Sequence, residues 1–109
     1  MVGRAKRKEQ SEMSNFVLIN PFEVPEEVGD DRFLEGWGKA ADYMQSRPGF
    51  VASRLHRAVS PNAKFRFVNV AEWESPQDFR AAVRSPEFQA MAAGTPPGYP
   101  ALYEVVRAF

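Results

Sequence analysis

Along the chain, the apolar positions change from the two-residue period of strands to the wider period of helices. The first apolar segment, residues 15–24, is rich in β-branched and aromatic side chains, which predicts a strand. Both of its faces are largely apolar, so we expect a central strand that is covered on both sides. Pro21 removes a backbone donor and therefore predicts a bulge or broken pairing just after Asn20.

The remaining segments alternate helix signals with strand signals. Ser75-Pro76 and Ser85-Pro86 each place a capping hydroxyl before a proline, which is typical of a helix start. The predicted elements after the first strand are a helix within 26–46 that starts near Asp30 or Asp31, a strand over 50–59, a turn over 60–63, a strand over 64–73, a helix from Pro76, a short helix from Pro86 that ends near Gly94, a loop over 95–100 and a last strand over 101–109.

This β-α-β-β-α-β order predicts the ferredoxin-like α+β fold, in which helices cover one face of a four-stranded antiparallel sheet. No helix remains to cover the other face. Phe65 and Phe67 share a strand face with Asn69, Ala71 and Trp73, and we interpret an uncovered aromatic face as an association surface. The sequence therefore predicts a homodimer whose two sheets pack together.

Composition excludes several classes of function. The 109 residues fit one domain, over 15–109, and residues 1–14 are expected to form a flexible tail, with Met13 as a possible natural start. Fourteen basic and fourteen acidic residues leave no net charge, which disfavours nucleic acid and membrane surfaces as partners. Neither a secretory signal nor a membrane span is visible, so cytoplasmic location is the default expectation. With no cysteine and one histidine, cysteine-based and most histidine-based metal sites are also excluded.

Two asparagines and a tryptophan are the candidate chemistry. Asn20 shares a face of the first strand with Phe22, and Asn69 shares a face of the third with Trp73. In this topology strands 1 and 3 are neighbours, so the three polar groups can converge in an aromatic pocket. A buried amide is costly without partners, which favours a ligand there. The alternative is that each amide bonds a bulged backbone, as Asn20 could do beside Pro21.

A motif in the second half of the chain connects these residues to a known family. The segment Asn69-Val-Ala-Glu-Trp-Glu-Ser-Pro-Gln-Asp-Phe79 resembles the N-x-x-x-W-x-S-x-x-x-[FY] motif of antibiotic biosynthesis monooxygenases, and Arg47-Pro-Gly-Phe50 is similar to the start of their second strand. The resemblance spans roughly residues 15–109. It implies a dimeric α/β barrel.

In one branch of that family, the resemblance implies oxidation of phenols or anthrones by O2 without metal or flavin. It implicates Asn69 and Trp73, and with Asn20, the third polar group of the pocket, they are the expected catalytic residues. An amide donor can stabilise the enolate that forms when such a substrate loses its proton. Tyrosines of this branch fall at Leu55 and Phe79, so two phenol groups are replaced. The expected substrate-binding residues for a small aromatic molecule are Phe22, Leu55, Phe65, Phe67 and Phe79.

The haem-degrading branch is the alternative, because Asn20 and Trp73 also match its asparagine and tryptophan. Its iron-ligating histidine falls at Ala92, so no cofactor is expected, and haem is the less favoured reading. His56 is expected to be a surface or packing residue on strand 2. A dimer that binds an aromatic ligand without turnover is the third possibility. Arg54, Arg57 and Arg66 could line a cavity mouth, although solvated strand positions are the commoner outcome.

Overall fold

The computed structural model of this chain describes residues 16–109, and the predicted tail over 1–14 lies outside the described residues. Its strands and helices are β1 (Phe16–Phe22), α1 (Gly29–Gln45), β2 (Phe50–Arg57), β3 (Phe67–Trp73), α2 (Pro76–Arg84), α3 (Pro86–Ala92) and β4 (Ala101–Glu104). The strands form one antiparallel sheet in the order β2-β3-β1-β4. This order confirms the predicted ferredoxin-like α+β fold.

β1 occupies the central position that its two apolar faces predict, between β3 and β4. The predicted bulge or broken pairing after Asn20 is wrong on the β3 side, where Pro21 pairs with Val68 in unbroken register, but the broken pairing is confirmed on the β4 side. The missing N–H of Pro21 instead points toward β4, and pairing with β4 ends at Ile19. The irregularity in the sheet lies in β2, between Phe50 and Ala52.

The two Ser-Pro steps begin helices as predicted. Ser75 Oγ accepts a hydrogen bond from the Asp78 backbone N–H at 3.1 Å, and Ser85 Oγ accepts one from the Phe88 N–H at 3.2 Å. Each serine satisfies a donor that the first helical turn leaves unpaired, and each following proline has no donor to lose. α2 and α3 therefore start at defined residues, which fixes their position over the sheet.

An ion pair ties the start of α1 to the β2–β3 hairpin. Arg66 donates to both carboxylate oxygens of Asp30, at 3.1 and 2.8 Å, and Arg57 lies 3.5 Å from the same group. The hydrogen bond from Arg66 and its positive charge hold the pKa of the Asp30 carboxyl below its ordinary value. Because that pKa is lowered, the pair stabilises the fold at neutral pH and loses its effect as the pH falls through it.

The core packs against one face of the sheet and forms two clusters. In one, Phe33 of α1 stacks on Phe67 with ring centroids 4.7 Å apart and meets Phe22 edge-on at 4.9 Å. In the other, Trp73 packs with Ala82 of α2 and is 1% exposed. Both clusters lie on the strand face that the helices cover.

The expectation that the face with Phe67, Asn69 and Trp73 is uncovered is therefore wrong. Phe67 and Trp73 are 2% and 1% exposed because α1 and α2 pack directly onto them. The face that points away from the helices carries aliphatic side chains, which are half-buried within one chain. They are Val17, Ile19, Val68 and Val70.

Four strand ends differ from the prediction. β1 ends at Phe22 rather than residue 24. β2 ends at Arg57 rather than residue 59, β3 begins at Phe67 rather than residue 64, and β4 ends at Glu104 rather than residue 109. Beyond Glu104 the apolar side chains lack a packing surface: Val106 and Phe109 are exposed. α1 is the longest helix of residues 16–109 at 17 residues, and no helix in that range has the length and hydropathy of a membrane span.

Candidate functional site

A cavity of about 930 Å³ lies between the helices and the sheet. Its floor is formed by β1, β2 and β3, its roof by α1, α2 and α3, and one end by the loop over 95–100. This volume is in the range that encloses a drug-sized molecule. The cavity therefore lies within a single chain, on the sheet face that the sequence had predicted to be the dimer contact.

The two asparagines mark the place where the core divides. Along β1, Asn20 lies between Leu18 of one core cluster and Phe22 of the other, and Asn69 lies between Ala71 and Phe67 on β3. Asn20 and Asn69 are directly paired in the sheet, which brings their Cβ atoms to about 5 Å. Two adjacent amides thus lie between the two apolar clusters, and the space between these amides and the helices is the cavity.

A serine that the sequence analysis did not identify fixes the orientation of Asn69. Ser53 Oγ donates a hydrogen bond to Asn69 Oδ1 at 2.6 Å. With its oxygen occupied, the Asn69 amide nitrogen has no hydrogen-bond partner among residues 16–109 and is left as a donor for a ligand. Alternation in β2 places Ser53 on the same face as Leu55, but its bond to Asn69 depends on the pairing of β2 with β3, which no local pattern indicates.

Two further polar atoms in the cavity wall are buried and have no hydrogen-bond partner among residues 16–109. One is the indole N–H of Trp73, and the other is Oδ1 of Asn20. Buried polar atoms without partners are uncommon in folded proteins, and each calls for a physical reason. The alternative that each asparagine bonds a bulged backbone is therefore not what the structure contains.

The loop over 95–100 closes against Asn20 at Gly98. A Cβ atom built on Gly98 would collide with Asn20 Oδ1 and lie 2.8 Å from Phe22 Cε1, so glycine permits this close approach. Tyr99 anchors the loop through its backbone N–H to Pro21 O at 3.0 Å and its hydroxyl to Glu23 Oε1 at 2.9 Å. The hydrogen bond to Glu23 raises the pKa of Tyr99, so the phenol remains a donor.

The other predicted site residues divide into two groups. Phe22, Leu55 and Phe79 line the cavity together with Asn20, Asn69 and Trp73. Phe67 does not, because its ring is covered by Phe33. Phe65 does not either, since it precedes the first residue of β3 and packs against Tyr99 at 5.8 Å.

None of the described residues that line the cavity carries a formal charge. Arg54 and Arg57 are exposed and Arg66 is held by Asp30, so none of the three arginines lines the wall. The single histidine, His56, is also exposed, and its Nδ1 lies 3.3 Å from the Val68 carbonyl oxygen. Within residues 16–109, no cluster of three or more His, Asp or Glu side chains could hold a metal ion.

The match to a family model covers residues 15–94, and that family is described as antibiotic biosynthesis monooxygenase. The chain belongs to the antibiotic biosynthesis monooxygenase family. The match includes the whole Asn69-to-Phe79 motif and all three strands of the cavity floor. No curated protein matches the chain.

Solved structures of similar proteins agree with this family assignment. A candidate monooxygenase from Shewanella loihica PV-4 is 33% identical, with a TM-score of 0.75 over 85% of this chain and 95% of that one. A variant of SnoaB, a cofactor-independent oxygenase from Streptomyces nogalater, shares the fold at 22% identity, with a TM-score of 0.71 over 86% and 95%. MhuD, a haem degrader from Mycobacterium tuberculosis, is 27% identical, with a TM-score of 0.62 over 86% and 98%.

The cavity residues of this family member do not fit haem. Ala92 lines the wall at the position where the resemblance to the haem-degrading branch requires histidine, and His56 does not line it. Among the described residues of the wall, Met44 has the one sulfur atom that could contact iron, and methionine serves haem iron as the partner of a histidine. The two propionates of haem would also meet no cation in the described wall.

Proposed function

We propose that this protein is a cofactor-independent monooxygenase that oxidises a small hydroxylated aromatic molecule, such as an anthrone or a quinol-type phenol, with O2. The observation that carries the proposal is the amide of Asn69 in the wall of an uncharged cavity: Ser53 holds its oxygen, and its nitrogen has no hydrogen-bond partner among residues 16–109. Membership of the monooxygenase family supports the same reaction class.

The amide nitrogen is suited to the charge that develops in such a reaction. When an anthrone or phenol loses a proton, negative charge collects on its oxygen, and a fixed N–H donor in a poorly hydrated site stabilises that charge. The surrounding Phe22, Leu55 and Phe79 supply flat apolar surface for the ring. We assign the stabilisation of the enolate to Asn69, and we assign ring contact and a second donor to Trp73.

The reaction balances without an added reductant. An anthrone carbon loses two hydrogens, forms a bond to one atom of O2 and becomes a carbonyl, while the O–O bond breaks and the second oxygen leaves as water. The substrate supplies all four electrons. Because no lining residue in the described part of the chain is a carboxylate or imidazole, the first proton passes to water, and the wall acts by stabilising the anion.

Aerobic incubation with anthrone tests this function. We expect protein-dependent formation of anthraquinone, with one O2 consumed per quinone, and no formation under nitrogen. A rate no higher than that of buffer across anthrone, dithranol and naphthol-type phenols would contradict the proposal.

Ser53 is expected to act as a positioning residue for Asn69. Ser53→Ala removes the 2.6 Å hydrogen bond and lets the amide rotate, so we expect kcat to fall roughly 3- to 10-fold, as one hydrogen bond allows, with KM little changed. Ser53→Thr keeps the hydroxyl and should restore most of the rate. In an Asn69→Ala background, Ser53→Ala should have no further effect, and an additive loss there would contradict the role.

We also propose that the protein is a homodimer that associates through the sheet face opposite the helices. That face carries Val17, Ile19, Val68 and Val70, and contiguous apolar surface on a small domain marks an association site. Light scattering coupled to size exclusion should give twice the chain mass. Val70→Asp should give the monomer mass, whereas a wild-type protein that is monomeric at tens of micromolar would contradict the dimer.

A further inference from the structure

The cavity differs from the rest of the chain in charge. Charged residues make up 26% of the sequence, yet the 26 residues of the described range 16–109 that line the cavity include none. At its exposed rim, the polar side chains are neutral amides, Gln45 at the end of α1 and Gln89 on α3. A ligand that enters therefore exchanges water for apolar surface and neutral dipoles.

A fixed charge on the ligand would be costly in this environment. A carboxylate, phosphate, sulfonate or ammonium group loses its hydration on entry and gains no ion partner from the described wall. The phenolic oxygen of a substrate differs, because it enters neutral and becomes charged only beside the Asn69 amide. The wall should therefore bind neutral ligands more tightly than ligands that carry a fixed charge.

We propose that the cavity selects aromatic ligands that carry no fixed charge, so that the negative charge formed on the substrate oxygen is the sole charge inside it. This inference rests on the proposed function for the identity of the reacting oxygen, but the selection itself concerns binding. It defines the substrate class as neutral phenols, anthrones and their esters, and it excludes the corresponding free acids.

A matched ligand pair tests the selection without turnover. Anthraquinone-2-carboxylate and its methyl ester share a ring system and differ in charge at pH 7, and their binding can be followed by quenching of tryptophan fluorescence, since Trp37 and Trp73 both line the cavity. We expect the wild-type protein to bind the ester roughly 10- to 100-fold more tightly than the acid.

A charge placed at the rim should change this ratio in a predictable direction. Gln45→Lys puts a cation at the cavity mouth, where the C-terminal end of α1 also favours a positive charge. It should reduce the ratio of ester affinity to acid affinity several-fold. Gln45→Glu should not reduce it. Gln77→Lys adds the same charge on an exposed residue of α2 that does not line the cavity, and it should leave the ratio unchanged.

The inference would be overturned if the wild type bound the acid as tightly as the ester or bound neither ligand. It would also be overturned if Gln77→Lys and Gln45→Lys changed the ratio of the two affinities equally. The outcomes separate it from the proposed function. If anthrone is oxidised but acid and ester bind equally, charge selection alone fails. If the ester is preferred but anthrone is not oxidised, charge selection stands and oxygenation fails.

Discussion

Replacement of Asn69 by alanine is expected to lower kcat for anthrone oxidation by about 10²- to 10³-fold, the effect of removing one donor from a developing oxyanion. The hydrogen bond from Ser53 to Asn69 Oδ1 fixes the orientation of the amide, and the Asn69 amide nitrogen is the donor left for the substrate. KM should change much less, because the donor acts on charge that is absent from the bound ground state. Steady-state kinetics under air measure both parameters.

Asn62→Ala is the matched control for this substitution. Asn62 is exposed in the turn between β2 and β3, so the same change of side chain there should leave kcat and KM at the wild-type values. Thermal unfolding of both variants checks that the fold is intact. Equal turnover by wild type and Asn69→Ala would remove Asn69 from the mechanism.

Replacement of Phe33 by alanine is expected to lower the free energy of unfolding by about 3–5 kcal/mol. Phe33 is 1% exposed, stacks on Phe67 and meets Phe22 edge-on, so truncation removes both ring contacts and leaves a void in the core. This loss is a large fraction of the stability of a domain this size, since the total free energy of unfolding is roughly 5–15 kcal/mol. Urea unfolding at a fixed protein concentration gives the change.

Phe109→Ala serves as the control for that measurement. The Phe109 side chain is fully exposed at the end of the chain, and its removal should change the free energy of unfolding by no more than about 0.5 kcal/mol. Phe33→Leu should fall between the two variants because it refills part of the void. A loss below about 1 kcal/mol for Phe33→Ala would contradict the packing described for this cluster.

Local signals predicted the elements of this fold well, because they depend on residues close in sequence. The Ser75-Pro76 and Ser85-Pro86 steps cap helices through contacts within three residues, and the apolar faces of residues 16–22 required a central strand. The element order then left the ferredoxin-like sheet as the arrangement to expect, and the structure confirmed it.

Which face of the sheet the helices cover could not be read from alternation alone. Both faces of β1 are apolar, so either could have packed against α1, and the prediction chose the wrong one for the aromatic residues of β3. The strand ends at residues 57, 67 and 104 depend on where a partner strand stops, which is a property of the tertiary structure.

The sequence predicted those site residues that depend on alternation within a strand, but not those that depend on contacts between distant segments. Asn20, Asn69 and Trp73 share the cavity because period-two alternation and strand adjacency are both visible in the sequence. Phe67 has the same alternation as Asn69 and Trp73, but its ring contacts Phe33. The contact of Ser53 with Asn69 depends on the pairing of β2 with β3, which is a property of the tertiary structure. The loop contact between Gly98 and Asn20 joins residues far apart in sequence, and no local pattern indicates it.

Incubation of the chelator-treated protein with anthrone under ¹⁸O2 shows whether the new oxygen of the quinone comes from O2 without a metal. We expect anthraquinone that carries one ¹⁸O atom, a second ¹⁸O atom in water, and a rate that chelators leave unchanged and that Asn69→Ala lowers by about 10²- to 10³-fold. Quinone that takes its new oxygen from water, or a rate that depends on added metal or flavin, would contradict the proposed function.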